Sequence, residues 1–267
     1  MYSTEITNLK KSLPVLLDTA NLPACIGSQK TILIKPNLVE ALLPPVTTPV
    51  ILIRLLIEYL LARKENIRIL IGEGTGSLKY DTQHPFQMLG YTKLAAEKKI
   101  QLLDLNQEVS VKKENPDCLR WPVMHLPAIL DEVFLLSVPV LKVHTLAGVT
   151  LTMKNMIGCA PPSHFRANGH WGKSAFHRQI HEAIFDLNRY RSPDFSLLDA
   201  SVGMAQAHLW GRHCEPPVNK LAASNDPVAI DAYGASLLQR DWQKIKYIHL
   251  ADRVLGSAAK AVRNIVS

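Results

Sequence analysis

The sequence has no apolar run long enough to span a membrane. Its longest apolar stretch, Val50–Leu61, is interrupted by Arg54 and Glu58, whereas a membrane-spanning helix needs about 18–20 predominantly apolar residues. The first residues, Met1–Glu5, do not form a basic segment followed by an apolar one, which a secretory signal would require. We therefore expect a cytoplasmic protein without an integral membrane segment.

The sequence also lacks close cysteine pairs. Cys25, Cys118, Cys159 and Cys214 are far apart and form no C-x-x-C motif, so neither a zinc ribbon nor a disulfide framework is indicated. The simplest interpretation is four reduced thiols. The alternative is that three or four of them converge in the fold on a metal ion or an iron–sulfur cluster.

Aromatic residues are few, at 6% of 267 residues, although the chain is basic, with a formal net charge of +7. Surfaces that bind single-stranded nucleic acid interleave aromatic and basic side chains, so nucleic acid is not the expected partner. The charge is concentrated in residues 142–191, which contain seven basic and two acidic residues, a net charge of +5. This segment also holds five of the ten histidines: His144, His164, His170, His177 and His181. We expect this basic segment to surround an anion, and the alternative is a solvated basic face.

The rest of the composition is that of a globular protein, with 47% hydrophobic and 20% charged residues. Short apolar, β-branched runs alternate with longer helical patterns, which predicts βαβ units around a mostly parallel sheet. The predicted strands are Thr31–Ile34, Ile67–Ile71, Ile100–Asp104, Val133–Leu141, Phe195–Asp199 and Lys220–Ala223. We predict one α/β domain over residues 1–267, Rossmann-like or doubly wound. The loop-rich basic segment 142–191 would cover the carboxyl edge of its sheet.

Three helices are predicted with their ends. Pro49–Arg63 would be capped by Thr48, and Pro227–Leu238 by Asn225 or Asp226, because these side chains accept hydrogen bonds from free backbone N–H groups. Gly172–Tyr190 is the third predicted helix.

Polar residues follow the predicted strands where each one ends. In open α/β sheets, ligands bind at the carboxyl ends of the strands, where helix N-termini and loops meet. These residues are Lys35, Asn37, Glu73, Asp104, Asn106, Lys142, His144 and Asp199. The sequence thus predicts a binding cleft at that edge.

Two motifs resemble phosphate-binding loops without matching them. Ala167–Ser174 fits a loose P-loop pattern, but no strand precedes it, so we expect only that Lys173 meets an anion. Gly72–Gly76 follows a strand, yet the last glycine of G-x-G-x-x-G would fall on Ser77. It is interpreted as a glycine-rich turn, with an anion-cradling loop as the alternative.

His177 and His181 have the four-residue spacing of a zinc pair on one helix face. Arg178 between them opposes a cation, and the glutamate of the zinc-protease motif is absent. A histidine that faces an anion, or that packs within the fold, is the favoured interpretation.

The segment from Lys142 to Asn155 contains the most chemistry. Its lysines, Lys142 and Lys154, can serve as general base, Schiff-base nucleophile or fixed charge, depending on their pKa values. The sequence alone leaves these three roles open.

Several stretches of the chain resemble the family named domain of unknown function 362. They are Ile32–Leu38, Thr47–Pro49, Pro139–His144, Thr150–Asn155, Ile184–Asn188, Phe195–Asp199 and Ala223–Ala232. The resemblance implies that the family-motif positions are Lys35, Asn37, Lys142, His144, Lys154, Asn155, Asp186, Asp199, Asp226 and Asp231. It does not imply a reaction, because the family is named for its unknown function. Many members are described as iron–sulfur proteins because of an appended ferredoxin-like module, and this sequence lacks such a cysteine cluster.

The leading hypothesis is an enzyme that binds a small metabolite carrying a carboxylate or phosphate. Its predicted anion-binding residues are Lys35, Asn37, Lys142, Lys154, Asn155, Arg166 and Lys173. Its predicted catalytic residues are His144, His170, His177, Lys142 and Glu73. Glu73, Asp199 and Asp226 are the candidate ligands if the unidentified cofactor is a divalent metal ion. The alternative is a redox protein that works with a separate electron-transfer partner, and an iron–sulfur cluster is the weaker expectation.

Overall fold

The computed structural model describes residues 1–260 and 262–265. Its main feature is a ten-stranded sheet in which β12, β1, β11, β10, β7, β2, β3 and β4 are adjacent in that order, with β8 pairing with β10 and β9. A separate hairpin is formed by β5 and β6. The strands are β1 (Tyr2–Glu5), β2 (Thr31–Pro36), β3 (Arg68–Glu73), β4 (Gln101–Asp104), β5 (Ser110–Glu114), β6 (Val123–Pro127), β7 (Phe134–Val138), β8 (Val140–His144), β9 (Gly148–Thr150), β10 (Phe195–Met204), β11 (Lys220–Ser224) and β12 (Arg263–Ile265).

Helices cover both faces of the sheet. They are α1 (Leu9–Thr19), α2 (Leu22–Ile26), α3 (Val50–Arg63), α4 (Gln83–Met88), α5 (Tyr91–Lys98), α6 (Thr152–Asn155), α7 (Pro162–Phe165), α8 (Ile180–Tyr190), α9 (Pro227–Leu237) and α10 (Lys246–Ala251). Successive residues of a strand point to opposite faces. Ile32 and Ile34 accordingly lie in the core that includes residues of α1 and α3, while Leu33 lies in the core that includes residues of α8 and α9. None of the described helices is long and apolar enough to cross a membrane.

The centre of the sheet is parallel. β2 pairs in parallel with β3 and β7, β3 with β4, and β10 with β7 and β8. Antiparallel pairs join β11 to β1 and β10, and β9 to β8. The predicted α/β class with a mostly parallel sheet is therefore confirmed, and the carboxyl ends of the central strands meet at one edge.

The single strand predicted over Val133–Leu141 is wrong, because the chain forms two strands that meet at Pro139. β7 lies between β2 and β10, whereas β8 pairs with β10 farther along and turns into β9. Proline has no N–H to donate to a sheet, so Pro139 is a natural place for the change of partner. Because of this change of partner, β8 extends beyond the end of β7, and Lys142 lies at the carboxyl edge of the sheet.

The helix predicted over Gly172–Tyr190 is also wrong. A short 3₁₀ turn covers Ser174–His177, and α8 begins only at Ile180, because Gln179 has a left-handed backbone with φ of 52°. His177 and His181 therefore do not lie on one helix, so their four-residue spacing does not place them on one face as a zinc pair.

Asp226, one of the two predicted caps, accepts hydrogen bonds from the N–H groups of Val228 and Ala229 and caps α9. The predicted cap of α3 is wrong. Thr48 Oγ1 instead accepts from Asn37 N at 2.8 Å and donates to Val138 O at 2.7 Å. Its hydroxyl joins the loop after β2 to the end of β7 rather than capping a helix.

Candidate functional site

A cavity of about 40 Å³ lies at the carboxyl edge of the sheet. The ends of β2 and β3, the β8–β9 hairpin, α6 and the loops around residues 157–173 and 208 contribute to it. Its lining residues are Lys35, Asn37, Val39, Glu73, Gly74, Gly76, Lys142, Thr150, Lys154, Asn155, Ile157, Gly158, Trp171, Lys173 and His208. Four lysines thus share one cavity with a single carboxylate.

The Lys35 side chain is buried and all its donors are used. Its Nζ lies 2.8 and 2.9 Å from the two carboxylate oxygens of Glu73, and it also donates to Asn155 Oδ1 at 3.1 Å and Pro36 O at 2.9 Å. Glu73 in turn accepts from the N–H groups of Leu38 and Gly74. A buried ion pair is tolerated when its remaining polar atoms find partners, as they do here.

Asn37 and Asn155 extend this arrangement to Lys142. Asn37 Nδ2 donates to Asn155 Oδ1 at 2.9 Å, and Asn37 Oδ1 accepts from Lys142 Nζ at 2.7 Å. Lys142 also donates to Val46 O at 2.7 Å. An ammonium group has three N–H donors, so Lys142 keeps one that its described contacts do not use.

Lys173 is buried and donates to three backbone carbonyl groups. They belong to Gly74 at 2.6 Å, Ile157 at 3.2 Å and Gly158 at 2.9 Å. Lys173 therefore joins two loops of the cavity wall. Burial lowers its pKa to about 7. We call Lys35, Glu73, Asn37, Asn155 and Lys173 the paired network.

Other polar groups in the cavity have no partner in the described part of the chain. Lys154 Nζ makes no hydrogen bond or ion pair there, and Thr150 Oγ1 and His208 Nδ1 are buried atoms without a hydrogen-bond partner. Thr150 lies directly opposite Lys142 in the β8–β9 hairpin. Burial lowers the pKa of Lys154 to about 8. We call Lys154, Thr150 and His208 the open side of the cavity.

His144 lies behind His208 and does not line the cavity itself. The two rings are stacked with their centroids 4.0 Å apart. His144 Nδ1 accepts hydrogen bonds from the N–H groups of Leu146 and Ala147, so this nitrogen carries no proton. Burial and the nearby lysine charges lower the pKa values of both histidines, that of His208 to about 4. Both rings are therefore neutral near pH 7.

Asp231 positions the short helix α6. Its carboxyl oxygens accept from the N–H groups of Thr152 at 2.7 Å and Met153 at 3.1 Å, and the Tyr247 hydroxyl lies 3.4 Å away. Burial raises the pKa of Asp231 to about 8. The next two residues of α6 are Lys154, which belongs to the open side, and Asn155, which belongs to the paired network. The buried Asp231 therefore holds the backbone from which one residue of each side extends.

The Gly72–Gly76 loop is needed for close packing. A Cβ at Gly76 would lie 1.7 Å from Trp171 Nε1, and one at Gly74 would lie 2.9 Å from Lys173 Nζ. These glycines let the loop that carries Trp171 and Lys173 close against the end of β3.

Three predicted site residues lie away from the cavity. Arg166 and His170 are exposed and do not line it, and His177 is exposed with its ring stacked on Trp171. The segment between α7 and α8 is irregular, and only Trp171 and Lys173 point from it into the cavity wall. The sequence offered no periodic pattern that separates these residues.

The candidate metal ligands are also dispersed. Glu73 is paired with Lys35, Asp226 caps α9, and Asp199 accepts from Ser201 N without lining the cavity. No group of three or more His, Cys, Asp or Glu side chains within the described ranges is placed to hold a metal ion. Cys25 packs against one core, whereas Cys159 lies in the other. The donor set of the described residues therefore does not fit an iron–sulfur cluster.

Thr150 and His208 line the cavity and are not among the predicted site residues. The signal for Thr150 was available, because Gly148, with φ of 79°, marks a turn between two β-branched runs. His208 comes from the loop between β10 and β11, and no sequence pattern marks its return to the cavity.

The comparison with protein families shows to which family this chain belongs. The family model described as Domain of unknown function (DUF362) matches residues 32–236. The chain belongs to this family. Every residue that lines the cavity falls within the range matched by DUF362, so the site is part of the family's shared region.

One solved structure shows the same fold. It is the lactate racemase apoprotein from Thermoanaerobacterium thermosaccharolyticum, with a TM-score of 0.55 and 12% sequence identity. The similarity covers 91% of this DUF362 chain and 57% of that chain, so the present chain corresponds to little more than half of the other protein. No curated protein matches the sequence.

Proposed function

We propose that this protein is an enzyme that binds a small anionic metabolite, carrying a carboxylate or a phosphate, in the lysine-lined cavity. The observation that supports this proposal is the charge balance of the cavity. Lys35, Lys142, Lys154 and Lys173 line it, and Glu73 is its one acidic lining residue. Glu73 already pairs with Lys35, so an anion would supply the charge that the other three lysines lack.

Burial is the main cause of the lowered pKa values of three lysines in the cavity, Lys142, Lys154 and Lys173. Burial lowers the pKa of Lys142 well below its ordinary value, and neighbouring Lys154 lowers it further. A bound anion favours the protonated form of a nearby amine. Binding should therefore be coupled to proton uptake, and affinity should fall as the pH rises through about 7 to 8, the pKa values of Lys173 and Lys154.

The contacts available to the anion lie mainly on the open side. Lys154 has three unused N–H donors, Lys142 has one, and Thr150 has a hydroxyl group. The paired network keeps the other cations fixed behind these groups. Hydrogen bonds between charged groups are shorter and stronger than neutral ones, which suits this side to a carboxylate or phosphate.

The enzymatic part of the proposal concerns His208 and His144. A neutral imidazole on a cavity wall can accept a proton from a bound substrate. His208 lines the cavity, and its stacking on His144 holds the ring in place. We assign proton transfer to His208, with His144 as the residue that positions it.

Isothermal titration calorimetry with phosphate and with citrate at low ionic strength tests the binding. We expect binding by the wild type, a loss of at least about tenfold in affinity for Lys154→Met, equivalent to about 1.4 kcal/mol, and no change for Lys10→Met. Lys10 is an exposed lysine on α1 and serves as the matched control. Repeating the titration in buffers of different ionisation enthalpy measures the proton uptake. Equal binding by wild type and Lys154→Met would contradict the proposal.

A further inference from the structure

The four lysines of the cavity differ in how many acceptors surround their amines. Lys35 and Lys173 have acceptors for every N–H, and Lys142 has two. Lys154 has none among the residues that the structure describes. Lys154 is half-buried, so its amine loses part of its water without gaining acceptors, and this raises the fraction of neutral amine with a free lone pair.

The backbone around Lys154 is held on both sides. Asp231 fixes the N–H groups of Thr152 and Met153, and the Asn155 side chain is bonded to Lys35, Asn37 and Ser137. The Lys154 side chain therefore extends into the cavity from a fixed point. A lysine that only supplies charge can have its amine fully hydrogen-bonded. A nucleophilic lysine needs an amine whose lone pair is free.

We propose that Lys154 Nζ forms an imine with the aldehyde or ketone carbonyl of a small anionic substrate. This inference rests on the proposed anion-binding function and names the class of substrate. The anionic group would be held by the remaining N–H of Lys142, and the Thr150 hydroxyl, which lines the same cavity, would donate to the carbonyl oxygen. The lowering of the Lys154 pKa to about 8 supports the reaction, because part of the amine is then neutral near physiological pH.

The chemistry needs no other reactant. The amine lone pair attacks the carbonyl carbon, a C–N bond forms, and the C–O π electrons move to oxygen. One proton passes from nitrogen to that oxygen to give a carbinolamine. The C–O bond then breaks, the second nitrogen proton leaves with the oxygen as water, and the C=N bond forms. His208, on the same cavity wall, is the group available to carry these protons.

Reductive trapping with glyoxylate, which combines an aldehyde and a carboxylate, tests the inference. The folded full-length protein is incubated with glyoxylate and sodium cyanoborohydride, digested, and mapped by mass spectrometry. We expect a carboxymethyl group on Lys154 in large excess over exposed Lys10. Phosphate added first should protect Lys154 without protecting Lys10, and the rate of trapping should rise with pH through about 8.

The variant Lys154→Arg removes the nucleophilic amine, so we expect the adduct at this position to disappear. Binding and labelling of the wild type separate this inference from the proposed function. Phosphate binding by the wild type without preferential labelling of Lys154 would overturn the imine and leave anion binding standing. If the wild type shows neither binding nor preferential labelling, both proposals fail.

Discussion

The paired network and the open side contain similar residue types, but their polar groups are satisfied to different degrees. On one side, Lys35 donates to four oxygen atoms and Lys173 to three. On the other, Lys154 and Thr150 have no partner in the described chain. Hydrogen bonds satisfied within the protein stabilise the fold, whereas buried groups without partners lower stability until a ligand satisfies them. The comparison therefore predicts that substitutions in the paired network mainly affect folding and those on the open side mainly affect binding.

The largest effect is expected for Lys35→Met. The substitution leaves the Glu73 carboxylate buried without its cation, because the Glu73 side chain is only 3% exposed. Removing one partner of a buried ion pair costs about 3–5 kcal/mol. Urea unfolding should show this loss. The control is Lys98→Met, which removes an ion pair to exposed Glu58 and should cost less than about 1 kcal/mol. Similar losses of stability for both variants would show that the buried ion pair of the paired network stabilises the fold no more than an exposed ion pair does.

The second prediction concerns Asp231, because α6 contributes to both sides. Its pKa is raised from 3.8 to about 8, so the folded protein binds a proton that the unfolded chain has already released. The contribution of Asp231 to stability is therefore fully present below about pH 4 and is lost as the pH rises to about 8. Over this range the free energy of unfolding should fall by up to about 1.4 kcal/mol per pH unit.

The free energy of unfolding, measured at about pH 5, 6 and 7, tests this slope. The measured slope is compared with the value expected when the folded state binds one more proton than the unfolded state. Asp231→Asn should make the slope shallower. Asp18→Asn is the control, because Arg63 lowers the Asp18 pKa and its titration lies below this range. The prediction is wrong if wild type and Asp231→Asn have the same slope.

The strand ends explain why part of the site was predictable. Lys35, Asn37, Glu73 and Lys142 follow apolar runs, and such runs locate buried strands whose carboxyl ends share an edge. These four residues line the cavity. Local pattern is sufficient for them because their position depends on the strand that precedes them.

The rest of the site depends on contacts that local pattern does not encode. Arg166 and His170 are exposed although they belong to the basic segment, because loop conformation decides which side chains point inward. Gln179 interrupts a pattern that otherwise indicates a helix. His208 reaches the cavity from a loop far along the chain. Whether Lys154 or Lys173 finds acceptors is likewise a property of the folded loops, not of the lysine.

The third prediction is that Lys154→Met separates stability from binding. Replacing the amine with an apolar side chain of similar length removes a half-buried charge that has no acceptor in the described part of the chain. Stability at about pH 7 should be unchanged or higher, by up to about 3 kcal/mol, which is the free energy that corresponds to the lowered pKa of Lys154. The pKa of Lys154 is lowered from 10.5 to about 8, so its unfavourable contribution is present below about pH 8 and disappears as the pH rises to 10.5. Any stabilisation of the variant should therefore shrink over that range. A loss of about 3 kcal/mol at pH 7, as large as that expected for Lys35→Met, would place Lys154 with the paired network.

The smallest and sharpest test compares two buried threonines. Thr48 Oγ1 makes two hydrogen bonds, and Thr150 Oγ1 makes none in the described chain, although both residues are at most 4% exposed. Thr48→Val should cost about 1–3 kcal/mol, because its backbone partners lose their bonds, whereas Thr150→Val should change stability by less than about 1 kcal/mol. Calorimetry with phosphate should show a severalfold loss of affinity for Thr150→Val. If Thr150→Val binds phosphate as tightly as the wild type, the hydroxyl does not contact the anion, and the open side reduces to its two nitrogen groups.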